Sequence, residues 1–197
     1  MRCRSLTCMA VLPIILSAFL DRLPSLAQAP ARQSNNWAVP PDLQTSLRSG
    51  LLGNPLSDAE YDEAGFHVDQ FDLNRDGRPE SFVVGYCSPT GNCDLWIIEK
   101  TRTEFRILLT TDLAHVVCVR STKNRGFSDV EKRSHGSAFD SRVTVFRYDG
   151  EQYQPAEGYN LRWKYDEATG KTRQVEGPTA MPKCHEVFAR PRVSSSH

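Results

Sequence analysis

The chain has 197 residues, with 24 basic side chains against 24 acidic ones and a formal net charge of zero. Its 24% charged and 39% apolar content is that of a globular domain, not a disordered tail. Neutrality argues against a nucleic-acid partner, which calls for a basic excess.

The N-terminus reads as an export signal. Arg2 and Arg4 precede a mostly apolar run from Leu6 to Leu20, which Asp21 and Arg22 close. That run is shorter than the roughly 20 apolar residues a spanning helix needs. Ser25 and Ala27 then supply small residues before a cut, so residues 1–27 form a signal peptide. A retained signal anchor is the competing reading. After cleavage the chain has no stable membrane anchor and belongs in the periplasm or outside the cell. Residues 28–40 are polar and contain proline, as a flexible leader does.

A single domain is expected over residues 41–187. Pro41 fits a first helical turn, and Leu43, Leu47 and Leu51 recur every four residues, so 41–52 predicts a short helix. Ser57 or Asp58 caps a second helical turn within 57–66. From residue 80 the pattern turns to strands. Glu80–Tyr86 and Leu95–Glu99 are apolar, aromatic and β-branched, and form a hairpin around Cys87-Ser-Pro-Thr-Gly-Asn-Cys93. Further strands are expected at Phe105–Thr110 and Ala114–Val119. The polar stretch 121–138 reads as the longest loop, a candidate to carry function. Arg142–Tyr148 alternates as a strand, Asp149-Gly150 turns it, and Glu151–Gln154 returns. Asn160–Tyr165 is a strand, Asp166–Lys171 a turn, and residues 188–197 a disordered tail. The fold class expected is α+β, with short N-terminal helices and an antiparallel meander of roughly six to eight strands.

Cysteine usage agrees with export. Cys3 and Cys8 leave with the signal, and Cys87, Cys93, Cys118 and Cys184 remain. An even count in an oxidising compartment reads as two disulfides. Of three pairings, Cys87–Cys93 and Cys118–Cys184 are favoured, because the first ring is rich in turn residues. Zinc competes for these thiols. No C-x-x-C spacing exists, however, and His185 beside Cys184 does not complete a four-ligand set.

One stretch carries chemistry: Asp72-Leu-Asn74-Arg-Asp76-Gly77-Arg78-Pro-Glu80. Side-chain oxygens fall at alternating positions, Gly77 permits a sharp turn, and Arg78 offers its backbone carbonyl. Calcium wants six to eight oxygens, and this spacing wraps them around one point. An EF-hand is excluded, since Val83 stands where its bidentate glutamate is required. The loop resembles the D-x-[DN]-x-D-G-x-x-[DE] calcium loop of FG-GAP/VCBS-type β-structures. That resemblance spans nine residues and implies calcium ligation by Asp72, Asn74, Asp76, Arg78 (through its backbone) and Glu80. The same residue types also favour a metal-free turn. A longer run, with DLNRDGRPE, CSPTGNCDLWI, GFSD and FRYDGEQY, resembles a group of uncharacterised exported bacterial proteins and implies no activity.

No catalytic constellation stands out. G-x-S-x-G, H-E-x-x-H and the phosphate-binding glycine motifs are missing. His115 reads as part of a strand face, His67 as a loop residue near Asp69 and Asp72. Trp96, Phe146, Tyr148, Tyr153 and Trp163 are spaced as core and cross-strand pairs, with a sugar platform as the alternative. The expectation is an exported, non-catalytic binding or structural module with one structural calcium loop and a protein partner outside the cytoplasm. Two alternatives stay open: an inhibitor or immunity-like protein acting on a cell-wall enzyme through residues 121–138, and a metal-dependent hydrolase.

Overall fold

The computed structural model describes residues 38–180 and 182–189. The expected signal peptide, most of the expected leader and the expected tail from residue 190 lie outside the described residues.

Two short helices lead. Helix α1 (Pro41–Arg48) opens on proline and buries Leu43 and Leu47. It stops short of the expected residue 52, because Gly50 takes a φ of 100° and turns the chain. Helix α2 (Asp58–Ala64) starts in a capping box: Ser57 Oγ accepts from Glu60 N, and the Glu60 carboxylate accepts from Ser57 N at 2.8 Å. The left-handed Gly65 ends it.

Among the described residues ten strands follow, in two antiparallel sheets. Strands β1 (His67–Phe71), β2 (Glu80–Gly85), β3 (Cys93–Lys100) and β4 (Phe105–Ala114) form the first, in chain order. Strands β5 (Val116–Asn124), β6 (Phe127–Ser137), β7 (Asp140–Tyr148), β8 (Tyr153–Asp166) and β9 (Lys171–Glu176) continue the meander in the second. Strand β10 (Cys184–Ala189) returns to the β5 edge, giving the order β10-β5-β6-β7-β8-β9.

Strand β2 is buried along its whole length, because both its faces are covered. On one side Phe82 and Val84 join Leu95, Ile97, Val117, Val119, Val130 and Phe146 between the sheets. On the other, Val83, Trp96 and Ile98 meet Leu43, Leu47, Tyr61 and Phe66 under the helices. Gly85 makes room for that second layer: a Cβ there would lie 2.7 Å from the Phe66 ring.

The α+β expectation is thereby corrected. Strands account for 55% of the described residues and helices for 10%, so the fold is β-sandwich-like. Three features were hidden. Residues 121–138 are not a loop but most of the β5–β6 hairpin. Their polar side chains pair with one another across the sheet, which hydropathy alone does not reveal. Strand β1 mixes charged and apolar residues, and β10 lies where a tail was expected to begin. The hairpin β2–β3, the strand at β7 and the turns at 149–150 and 166–171 agree with expectation.

Candidate calcium loop and the buried charge ladder

Residues 72–80 connect β1 to β2 and are closed by their own side chains. The Asp72 carboxylate accepts from Arg75 N at 2.6 Å, Asp76 N at 3.2 Å and Gly77 N at 2.9 Å. Asn74 Oδ1 also accepts from Asp76 N, at 2.9 Å. Asp76 Oδ1 accepts from Arg78 N at 2.8 Å. Asp72 and Asn74 therefore converge on one amide. Arg75 and Gly77 hold φ values of 65° and 85°, which such a tight path requires. The Arg75 and Arg78 side chains are exposed.

Glu80 returns to the start of the loop. Its Oε2 accepts from Leu73 N at 2.7 Å, and the residue is 1% exposed. Leu73 is itself in the inter-sheet core, and its carbonyl accepts from Ser128 N on β6 at 2.9 Å. The loop thus sits at the junction of the two sheets.

Burial pushes the Glu80 carboxyl up to about 7 from its usual 4.5. The Leu73 amide pulls the other way, while the acidic neighbours Asp72 and Glu99 add to the rise. A native pKa above the unfolded value means that the folded state holds the proton more tightly. In chelator, stability is therefore highest below the unfolded pKa. It falls as pH rises through the window up to about 7, then levels. The loss over the whole window is on the order of 3 kcal/mol. Urea midpoints of wild type and Glu80→Gln at pH 5 and pH 8 test this. The glutamine variant should lose less between the two; an equal loss contradicts it.

Both disulfides form as favoured, Cys87–Cys93 and Cys118–Cys184. Near the second lies a feature the sequence did not disclose. Cα atoms of β5 and β7 come within 8 Å, closer than the roughly 9.6 Å of two strand spacings in a flat sheet. The two strands therefore approach each other locally across β6. A ladder of charges lines a face of the second sheet: Arg120 Nη2 donates to Glu131 Oε2 at 2.7 Å, and Arg133 Nε to Glu131 Oε1 at 2.9 Å. Arg120 also reaches Glu157 on β8 at 3.7 Å, and Arg147 pairs with both Glu157 and Asp129. Glu131 is 0% exposed and Asp129 3%. Asp129 Oδ2 accepts from Thr122 Oγ1 at 2.7 Å, while its Oδ1 is buried without a hydrogen bond. Alternation of charge along 120–133 was the available signal, masked by the polarity of the stretch.

Cys118, Cys184 and Glu131 place their ligand-type atoms within 4.8 Å of one another. They offer no metal site in the oxidised chain. The sulfurs are bonded to each other, and two guanidiniums occupy the carboxylate. The aromatic expectation resolves towards packing: Phe146, Tyr148 and Tyr153 are buried between the sheets and Trp96 under the helices, while Trp163 is half-buried. Tyr148 and Tyr153 are register partners, with ring centroids 5.6 Å apart. Among the described residues, no helix is long and apolar enough to cross a membrane. Compared with protein families, curated proteins and solved structures, the chain matches none.

Proposed function

We propose that this is an exported, non-catalytic structural or binding module, in which residues 72–80 hold a calcium ion that ties the first sheet to the second. What supports this reading is the set of donors on one short turn; the closure itself is also that of a metal-free turn, and among the described residues Asp72, Asp76 and Glu80 do not gather three carboxylate oxygens within 4.8 Å. Asp72 and Asn74 share the Asp76 amide, and Glu80 comes back to Leu73. Three carboxylates and an amide oxygen sit on one short turn, a donor set for a hard cation. Asp72, Asn74, Asp76 and Glu80 would hold the ion by side chain and Arg78 by its carbonyl. Bound calcium would supply positive charge to a group of acids that includes the buried Glu80. The two disulfides support a periplasmic or secreted location. The protruding-loop route to enzyme inhibition loses its element, since 121–138 is sheet.

Calcium titration of the oxidised protein, followed by calorimetry, tests the reading. One ion per chain is expected, with a dissociation constant of about 10⁻⁴ to 10⁻³ M, as in extracellular modules. Asp76→Asn keeps an oxygen for the Arg78 amide but removes a charge, and should weaken binding. No binding up to about 10 mM, well above that range, would refute the calcium loop.

A further inference from the structure

The crossing point between the two sheets carries a second grouping that the calcium reading does not use. His115 is the residue between β4 and β5, where the chain passes from one sheet to the other. Its backbone N–H donates to Arg133 O at 2.8 Å. Its ring Nδ1 lies 3.3 Å from the Gly91 carbonyl. A carbonyl only accepts, so Nδ1 carries the proton and Nε2 keeps its lone pair outward of that bond. This is the arrangement that fixes the tautomer of metal-binding imidazoles.

His135 stands beside it near the end of β6. Asn92 grips its backbone twice: His135 N donates to Asn92 Oδ1 at 2.8 Å, and Asn92 Nδ2 donates to His135 O at 2.8 Å. Asn92 is 8% exposed, and both it and Gly91 lie inside the Cys87–Cys93 ring. One disulfide-closed loop therefore positions both histidines. Their ring centroids are 5.1 Å apart, tilted by 31°. A tetrahedral ion about 2.0–2.1 Å from one nitrogen of each ring would place the centroids about 5 Å apart. Both residues are half-exposed, so an ion there keeps positions open to water.

We propose that His115 and His135 form a two-imidazole site for a borderline divalent transition cation, zinc being the test case. Imidazole selects this class over calcium and magnesium, which prefer oxygen. The site is thus chemically separate from the loop at 72–80 and stands or falls without it.

Zinc titration of oxidised, untagged protein tests it, run in millimolar calcium so that oxygen ligands are occupied. One zinc per chain is expected. His115→Ala and His135→Ala should each weaken it at least tenfold, while His185→Ala leaves it unchanged. Should an alanine variant melt early, His115→Gln and His135→Gln replace it. Absence of zinc binding, or wild-type affinity in either the 115 or the 135 variant, overturns the proposal.

Discussion

Replacing Cys118 and Cys184 together by alanine should destabilise the protein by about 4 kcal/mol on the chain-entropy account. The bond spans 66 residues of sequence, so its loss frees a long ring in the unfolded chain. It also releases β10, which is held on one side only, by β5. Among the described side chains of β10, Val187 joins the inter-sheet core. The same double change at Cys87 and Cys93, spanning 6 residues, should cost about 2 kcal/mol. Urea unfolding of the two double variants gives the comparison. A larger loss at the short ring would contradict the ranking.

The second large effect lies in the charge ladder. Arg120→Met leaves the Glu131 carboxylate, 0% exposed, with Arg133 as its remaining guanidinium. Breaking a buried pair from one side costs about 3–5 kcal/mol, because the surviving charge stays desolvated. A value near 3 kcal/mol is expected here, since Arg133 still compensates in part. Adding Glu131→Gln to Arg120→Met should recover much of the loss, as the amide needs no counter-charge. Equal stability of single and double variants would show that the pairing matters less than the packing of the Arg120 stem.

Local signals were legible where one residue type has one physical use. Ser57 announces a helix start, Asp149-Gly150 a hairpin turn, and the turn-rich 87–93 segment a small disulfide ring. At 72–80 it is the turn itself that was legible. Its alternating oxygens and Gly77 leave the backbone few paths, and the structure folds it by those side chains. What stayed hidden depended on partners distant in sequence. The polar stretch 121–138 looked like a loop because its charges were read as solvated. In the fold Arg120, Asp129 and Glu131 meet Arg147 and Glu157 across the sheet, so polarity and burial coexist. His115 and His135 were unremarkable 20 residues apart, and only the β4–β5 crossing brings them together. The α+β assignment failed on proportion: two genuine helices were found, but β1, β10 and the long hairpins were undercounted.

Calcium held by residues 72–80 would stabilise the folded protein by mass action. The most direct test is the melting temperature of oxidised wild type in about 10 mM calcium and in chelator, with Asp76→Ala alongside. Against a dissociation constant of about 10⁻⁴ to 10⁻³ M that concentration is roughly a ten- to hundredfold excess, which adds about 1.4–2.7 kcal/mol, or roughly 3–10 °C for a domain of this size. Wild type should show that rise and Asp76→Ala should lose it. Equal melting temperatures of wild type with and without calcium would contradict calcium binding and leave the loop a metal-free turn.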